Sequence, residues 1–561
     1  MTEAPLLRVI QLAASQPLAN RKGHRDRMVD SQVDVLVIGG GITGAGVALD
    51  AVSRGLKVAL VERADFASGT SSRSSKMIHG GFRYLQTGDV ALVRESLHER
   101  HRLQNNAPHL VSLLPFMIPL FLKGGLINPK LSRALGAALW SYQFAGAWKL
   151  LKRHRRLNQD QVRAHMPSLD IDRIGGAYLF HDLRADDARL TFAVLATAAE
   201  RGANVLNHAS CEQISDYQQG ARTVTIRTDD DVFSLRARMV VNATGIWADR
   251  LLESSGLRSS QRLSPAKGTH LVVRSDLLRN DVAVSIPVAS DKRTVSVVDA
   301  GPFSYIGSTD TTGAFDINTP SVTMADVDYI LHGLNRHLRV TVQPEDITSG
   351  WAGFRPLLAD ASKGRSADLS RRHHISVDGD GFISVTGGKL TTYRQMAEGA
   401  MDTAVSLLGT NRRSTTRDLK LHGWHQGASH LDSQDRLGKR YGNRASILRS
   451  LQEVAPSLGQ RVTPTSDTLV AEAVWALHAE MAVDLSDALL RRTRVGTYDG
   501  RALLANADAI GASILAWTDW SESQRQRAID KLKTTLRSEL GVLADQPLPP
   551  SDLPVTKDTH V

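Results

Sequence analysis

The sequence contains a single cysteine, Cys211, and no apolar run that reaches the ~18 residues of a membrane-spanning helix. One thiol excludes an intrachain disulfide and any zinc or iron–sulfur site built from several cysteines, and it favours a reducing compartment. Because 42% of the residues are hydrophobic and 22% are charged, the chain is globular rather than disordered or fibrous. Its 561 residues predict roughly three to four domain-sized units.

Acidic residues are missing from one long stretch of the chain. Between Arg100 and Gln159 there is no Asp or Glu, but there are ten Lys or Arg residues. The whole chain has 68 basic and 58 acidic residues, a net charge of +10, so the remainder is formally neutral. A charge confined to one window argues against a uniformly basic nucleic-acid binder and indicates one local anionic partner.

The same window has the composition of a membrane-surface segment. Its apolar run 110–122 is interrupted by Pro115 and Pro119 and is too short to span a bilayer. Helically spaced aromatic residues at 140–148 then precede five cations within 149–157. Aromatic side chains beside cations are typical of a monotopic interfacial segment. We predict a membrane-facing segment over 111–169, with an amphipathic helix covering the core as the alternative.

From Val33 the pattern becomes α/β and contains a glycine-rich turn. An apolar strand leads into Gly39, Gly41 and Gly44, which fit G-x-G-x-x-G at the start of a helix. These glycines allow the turn, the approach of a pyrophosphate and close helix–strand packing, and the free N–H groups of the helix favour the anion. A second strand ends at Glu62, where an acid would accept from ribose hydroxyls. The spacing predicts a dinucleotide site.

Two later motifs favour FAD over NAD. A strand ending in Asn-Ala-Thr-Gly places Ala243 and Gly245 where the chain passes the dinucleotide in the disulfide-reductase and amine-oxidase-like flavoproteins, which it resembles. Near Gly388, Leu390 and Thr391 a strand, two glycines and a helix follow. In those flavoproteins the positive end of this helix stabilises the anion on the flavin pyrimidine ring. We predict FAD as the cofactor and no metal.

Eight motifs, in a fixed order along the chain, indicate a more specific resemblance than the one to flavoproteins in general. They are GGGITGAG, TSSRSSKMIHGGFRYL at 70–85, DDARL at 186–190, NATGIWAD, KGTHLVV at 267–273, GSTDT at 307–311, GFRPL at 353–357 and GGKLTTYR at 387–394. Over about residues 33–400 the chain resembles the FAD-dependent (aerobic, respiratory) glycerol-3-phosphate dehydrogenases. The helical pattern beyond residue 425 also suits the C-terminal domain of that family.

The resemblance implies which residues bind cofactor and substrate. A phosphorylated polyol requires fixed cations, and the arginine fork suits phosphate. Proton removal from an alcohol requires a base that titrates near neutral pH, which indicates histidine; we favour His79 over His270. Further cofactor residues implied are Ser71, Ser72, Lys76 and Gly80. The substrate residues implied are Arg83, Tyr84, His270, Arg355 and Lys389, and His79, His270, Arg355 and Lys389 form the catalytic set.

The reaction implied is oxidation of sn-glycerol 3-phosphate to dihydroxyacetone phosphate by hydride transfer to flavin N5, with electrons passed to membrane quinone. The resemblance also implies a homodimer, and we expect a peripheral location on the cytoplasmic face of the plasma membrane without nucleic acid. A glycerol-3-phosphate oxidase that uses O2 shares these motifs. The sequence also leaves open an amine or 2-hydroxy-acid oxidoreductase on the same scaffold, and a non-enzymatic flavin-binding or membrane scaffold protein.

The predicted fold is α/β, with a Rossmann-like FAD-binding domain, an interleaved α+β substrate domain and an all-α C-terminal domain. The predicted ranges are 1–30 for an N-terminal tail, 31–110, 170–250 and 345–410 for the FAD-binding domain, 111–169 for the membrane-facing segment, 251–344 for the substrate (cap) domain, 425–545 for the helical domain and 546–561 for a Pro-rich tail.

Overall fold

A computed structural model of the chain shows two β-sheets followed by a helical C-terminal region. The residues that the structure describes are 3–80, 90–122, 153–258, 262–288, 293–313, 315–358, 373–428 and 435–548. Within these ranges no helix is both long and apolar enough to cross a membrane.

The strands of the described residues lie between residues 32 and 387, with helices interspersed among them. The strands are β1 Gln32–Ile38, β2 Val58–Val61, β3 Met77–Ile78, β4 Val111–Phe121, β5 Arg155–Leu157, β6 Ile174–Ala185, β7 Asn204–Leu206, β8 Ala209–Ile214, β9 Arg222–Thr228, β10 Val232–Asn242, β11 Ala266–Arg274, β12 Ala283–Val288, β13 Arg293–Ala300, β14 Phe303–Gly307, β15 Ile347–Arg355, β16 His373–Gly379 and β17 Phe382–Gly387.

Helices dominate the last quarter. The α-helices are α1 Glu3–Ala13, α2 Arg21–Asp26, α3 Ile42–Ser53, α4 Val90–Asn106, α5 Gln159–His165, α6 Asp187–Glu200, α7 Ala248–Ser254, α8 Ser275–Leu278, α9 Met324–Asn335, α10 Tyr393–Leu407, α11 Arg436–Tyr441, α12 Ala445–Val454, α13 Val470–Ala479, α14 Val495–Tyr498, α15 Gly500–Ala505, α16 Ala507–Leu515 and α17 Glu522–Leu540.

The first sheet has the order β16-β17-β10-β1-β2-β7, with β9 beside β10 and β8 beside β9. Strands β17, β10, β1, β2 and β7 are parallel. The apolar run of β1 is buried on both faces, as a central parallel strand requires. Val35 and Val37 pack with the core that α3, α6 and α10 cover, whereas Leu36 and Ile38 pack on the opposite face. The predicted Rossmann-like fold is confirmed.

The second sheet is mainly antiparallel and has nine strands in the order β15-β11-β14-β13-β12-β4-β6-β3, with β5 on β6. The domain borders differ from the predicted ones here. Strands β6 and β15 fall in ranges predicted for the FAD-binding domain, yet both pair within the second sheet. A range that is continuous in sequence therefore serves both sheets, which hydrophobic patterning alone does not reveal.

Strand β4 explains most of the apolar run that opened the predicted membrane-facing segment. Leu114, Met117 and Phe121 are buried in the cores on this sheet. These side chains are apolar because they fill the protein interior, so this part of the prediction is wrong. The aromatic cluster at 140–148 and the cations at 123–152 lie outside the described residues.

The helical C-terminal region has its own core, as predicted, and that core also receives the N-terminal helix. Trp475, Leu503 and Leu532 lie in this core together with Val9 and Ala13 of α1. The prediction of a tail over residues 1–30 is wrong, because Val9 and Ala13, one helical turn apart, bury one face of α1 in this core.

Candidate active site

The glycine-rich turn between β1 and α3 has no room for side chains. Gly39 has φ +113°, and a Cβ there would lie 2.5 Å from the Ala243 carbonyl oxygen. A Cβ on Gly44 would lie 1.9 Å from the carbonyl oxygen of Gly39. The Asn-Ala-Thr-Gly motif therefore lies directly against the turn, and Gly245, with φ +62°, begins the following helical turn.

The start of α3 presents backbone donors at this turn. Gly41 is the N-cap residue and offers no side-chain cap. The next amide, that of Ile42, donates to Ser71 Oγ over 2.9 Å. Glu62 at the end of β2 accepts from the Gly40 amide at 2.7 Å, and burial raises the pKa of its carboxyl group. Ser71 and Glu62 thus both border the turn, and their contacts with FAD stay predictions.

The second predicted turn lies after β17. Gly388 has φ +83°, and a Cβ there would lie 2.3 Å from Met396 Sδ. Leu390 and Thr391 form the helical turn that leads into α10, and Thr391 Oγ1 donates to the carbonyl oxygen of His79 over 3.4 Å. Lys389 Nζ lies 3.4 Å from Ser96 Oγ. The structure therefore brings His79 to the start of the predicted flavin-facing helix.

The buried side chain of Asn242, which sequence reasoning missed, connects the Asn-Ala-Thr-Gly motif to β17. Its Oδ1 accepts from the Thr244 amide at 3.2 Å, and its Nδ2 donates to Ser384 Oγ on β17 at 3.2 Å. The signal was present, since this asparagine opens the Asn-Ala-Thr-Gly motif.

The segment 70–80 links the glycine-rich turn to the second sheet. Thr70 Oγ1 donates to the Phe354 carbonyl oxygen at 2.7 Å, next to the Ser71 that borders the turn. Farther along, Ser75 Oγ is hydrogen-bonded to His270 Nε2 at 2.9 Å. The Tyr305 hydroxyl donates to the Ser75 carbonyl oxygen at 2.9 Å. One stretch of chain therefore contacts both the predicted cofactor turn and the predicted catalytic histidine.

The second sheet presents a wall to this segment, formed by Gly268, His270, Gly307, Trp351 and Arg355. In the pairing of β11 with β15, His270 is opposite Trp351 and Gly268 is opposite Gly353. A Cβ on Gly268 would lie 2.6 Å from Arg355 Nη2, and one on Gly307 would lie 2.4 Å from His270 Cδ2. The two glycines make the space that the functional side chains of this sheet wall occupy.

His270 is held neutral within the wall. Its ring stacks on Trp351 with centroids 4.7 Å apart and an interplanar angle of 13°. Burial, followed by the charges of Lys76 and Arg355, lowers the pKa of His270 well below its ordinary value. An imidazole in this environment is a hydrogen-bonding group rather than a cation.

Arg355 has a fixed orientation. Its Nη1 donates to Asp310 Oδ1 at 2.9 Å, and its Nη2 donates to Ser308 Oγ at 2.6 Å and to the Thr309 carbonyl oxygen at 3.0 Å. The side chain keeps about a quarter of its surface exposed. A pre-oriented guanidinium with a solvent-facing side is suited to an anionic ligand.

Lys76, predicted to bind the cofactor, is engaged inside the protein. Its ammonium group donates to Asp187 Oδ1 at 3.0 Å and to the Ser72 carbonyl oxygen at 3.3 Å. Burial and the nearby charge of Arg494 lower its pKa to about 8. Asp187 and Arg494 were not predicted as site residues, and Arg494 had no local signal because it lies 422 residues from its contact at Ser72.

Gly80 is buried at the end of the described part of this segment, while Arg83 and Tyr84 lie outside the described residues. Two cations of the basic window are already paired within the protein, Arg100 in a buried ion pair and Arg102 in one that leaves 26% of its side chain exposed. Arg100 donates to Asp182 at 2.6 Å, with both side chains 7% exposed, and Arg102 pairs with Glu99.

Three features of this site fit a dinucleotide: the glycine turn without side chains, the amides at the start of α3, and Glu62 at the end of β2. Together with the sheet wall, they define a flavin-dependent oxidoreductase. Residues 34–394 match the family model described as FAD dependent oxidoreductase, and residues 400–525 match the C-terminal domain of alpha-glycerophosphate oxidase.

Curated relatives extend over most of the chain. Glycerol-3-phosphate dehydrogenase 2 of Mycobacterium tuberculosis is 36% identical over 529 residues, which is 90% of this chain and 89% of the relative. The aerobic glycerol-3-phosphate dehydrogenase of Staphylococcus epidermidis is 32% identical over 556 residues, 94% of this chain and 97% of the relative. The solved glycerol-3-phosphate dehydrogenase of Bacillus halodurans, complexed with FAD, has a TM-score of 0.74 and 30% identity, and covers 93% of this chain and 98% of its own.

The chain belongs to the family of FAD-dependent glycerol-3-phosphate dehydrogenases. The predicted family, the FAD cofactor and the fold with its helical C-terminal domain are thereby confirmed.

Proposed function

We propose that the protein oxidises sn-glycerol 3-phosphate to dihydroxyacetone phosphate and passes the electrons to membrane quinone. One observation supports the site assignment most: segment 70–80 contacts the glycine-rich turn through Ser71 and the sheet wall through Ser75. The names of the relatives support the substrate. When FAD is bound, it supplies the acceptor for the hydride that leaves C2.

Arg355 binds the substrate phosphate in this proposal. Asp310, Ser308 and Thr309 hold the guanidinium in one orientation, so little side-chain entropy is lost when the anion binds. Lys389, at the entrance to the helical turn before α10, supplies a second cation. Arg83 and Tyr84 stay predicted substrate residues on the strength of their motif.

His79 takes the proton from the C2 hydroxyl in this proposal, and His270 orients that hydroxyl. A catalytic base is most effective when its pKa lies near the working pH. The strongly lowered pKa of His270 makes it a poor proton acceptor, but its neutral ring remains a good hydrogen-bonding group. Ser75 and Trp351 fix the orientation of that ring.

The electron acceptor and the location belong to the same proposal. Arg153, Arg155 and Arg156 belong to the basic window and are exposed where the described chain resumes at residue 153. Each cation near an anionic leaflet contributes about 1 kcal/mol to binding. We therefore propose peripheral attachment to the cytoplasmic face of the plasma membrane, where quinone is available. A homodimer, which the family resemblance implies, is part of the same proposal. Vesicle flotation at two salt concentrations tests the attachment, and light scattering tests the dimer.

Anaerobic titration of the FAD-loaded protein tests the substrate. Glycerol 3-phosphate should bleach the flavin absorbance, whereas glycerol, an amino acid and a 2-hydroxy acid should not. Bleaching by one of the other compounds but not by glycerol 3-phosphate would overturn the proposal. Reoxidation by a soluble quinone analogue much faster than by O2 supports a dehydrogenase, and the reverse order would make the protein an oxidase.

A further inference from the structure

One buried arginine of the helical C-terminal region reaches segment 70–80. Arg494 directly precedes α14, and its side chain is 1% exposed. Its Nη2 donates to the Ser72 carbonyl oxygen at 2.7 Å and to Asp187 Oδ1 at 3.3 Å. A charged group so far from water requires partners, and this arginine finds them in another domain.

Asp187 collects donors from the same segment. It begins α6 and lies in the DDARL motif, which the proposed chemistry does not use. Its Oδ2 accepts from the Ser74 amide at 3.0 Å and from Ser74 Oγ at 2.7 Å, and Lys76 donates to it as well. Burial alone would raise the pKa of Asp187, but the charges of Lys76 and Arg494 lower it below its ordinary value. The carboxylate is therefore ionised and ties Ser74 and Lys76 to Arg494.

Helix α14 also supports the sheet wall from behind. The Tyr498 ring meets Trp351 edge to face, with centroids 6.2 Å apart and an interplanar angle of 81°. The Thr348 hydroxyl donates to the Tyr498 carbonyl oxygen at 2.9 Å, and Ser349 Oγ donates to the Gly496 carbonyl oxygen at 3.0 Å. The helical region thus holds both the segment and the wall that meet at His270.

We propose that Arg494 is a positioning residue, through which the helical C-terminal domain sets the place of Ser72–Lys76 and hence of Ser75 against His270. The inference rests on the proposed function for its substrate, but not for its geometry. Without the guanidinium, the Ser72 carbonyl and Asp187 keep Lys76 as their charged partner. The Arg73–Glu539 ion pair at 2.8 Å still links the segment to the helical region, but the stretch from Ser72 to Lys76 can shift. A misplacement of about 1 Å costs about 100-fold in rate.

The test compares Arg494→Ala and Arg494→Lys with Arg436→Ala in FAD-loaded full-length protein. Arg436 pairs with buried Glu472 within the helical region and does not contact segment 70–80 among its described contacts. We expect anaerobic flavin reduction to slow about 100-fold in Arg494→Ala. We expect a smaller loss in Arg494→Lys, which keeps the charge but not the fork. Arg436→Ala should lower thermal stability only.

Two readouts separate positioning from general destabilisation. Added guanidinium ion, below denaturing concentration, should restore much of the rate in Arg494→Ala and leave the rate of Arg436→Ala unchanged. FAD dissociation and the visible circular dichroism of the bound flavin should change in the Arg494 variants without any substrate. Unchanged reduction rates in both Arg494 variants, or equal losses without rescue in all three, would overturn the inference. Failure of glycerol 3-phosphate to reduce the wild type would overturn the proposed function instead.

Discussion

The glycine-rich turn and the sheet wall differ in how far apart in sequence their contacts lie. The turn joins Gly40 to Glu62, 22 residues on, through a backbone amide. The wall contacts segment 70–80 through the side chains of His270 and Ser75, which lie 195 residues apart in sequence. The wall also rests on α14, and Arg494, which directly precedes that helix, lies 422 residues from its contact at Ser72. The cofactor side thus depends mainly on local backbone geometry, whereas the substrate side depends on the packing of distant segments.

The largest expected effect comes from filling the turn. Gly44→Val would place a side chain where even a Cβ meets the Gly39 carbonyl oxygen at 1.9 Å. Because a backbone carbonyl cannot yield as a side chain can, we expect loss of bound FAD. The ratio of flavin to protein absorbance measures it. Gly459→Ala is the matched control, because nothing lies within 4 Å of its Cβ position; full FAD content in both variants would refute the local account of the turn.

The next largest effect is expected from removing the positive charge of Arg355 in the sheet wall. Arg355→Gln should lower kcat/KM for glycerol 3-phosphate about 100-fold, mainly through KM, because charge-assisted hydrogen bonds contribute about 1.5–3 kcal/mol. Bound FAD should be unchanged. Steady-state kinetics measure the change, and Arg274→Gln, on the same sheet but paired with Asp276, serves as the control. An unaltered KM would remove Arg355 from the phosphate site.

A smaller effect is expected from the hydrogen bond between segment and wall. Ser75→Ala should lower kcat about fivefold with little change in KM, since a neutral hydrogen bond contributes about 1 kcal/mol. Ser75→Thr keeps the hydroxyl and should recover most of the rate. Because the pKa of His270 is already far below its ordinary value, neither variant should move the acid limb of the pH profile. A shifted acid limb would instead make His270 the base.

The smallest effect is expected at a residue outside both the glycine-rich turn and the sheet wall, and it serves as a baseline for the other variants. His109 lies against Gly423, and burial followed by neighbouring cationic groups lowers its pKa to about 3. Between that pH and the ordinary value of ~6.5, the unfolded chain binds more protons than the folded one, so stability falls as pH falls. His109→Gln should lose less Tm between pH 7 and pH 5.5 than the wild type, and flavin reduction at pH 7 should be unchanged. Equal losses of Tm would show that His109 does not titrate on unfolding.

The same contrast explains which features the sequence predicts. Gly39, Gly41, Gly44 and Glu62 follow a fixed spacing because most of their contacts are local, although Gly39 also lies against Ala243, and the predicted turn is present in the structure. The motif around Lys76 indicates a cofactor residue, but its partner Asp187 lies 111 residues away. In sequence, strand β4 resembles part of a membrane-facing segment, and helix α1 resembles part of a tail. Both predictions are wrong for these elements because the apolar pattern of a segment does not determine which hydrophobic core it packs into. Ser75, Trp351 and Arg494 gain their roles only from tertiary contacts.

Single-turnover reduction under anaerobic conditions tests the central claim most directly. The FAD-loaded protein is mixed with sn-glycerol 3-phosphate and with the same compound deuterated at C2, and flavin bleaching is followed in the wild type and in His79→Asn. We predict slower bleaching with the deuterated substrate and a loss of at least about 100-fold in the variant, as removal of a catalytic base requires. Equal rates for both substrates together with an unimpaired variant would contradict proton removal by His79 and hydride loss from C2 at this site.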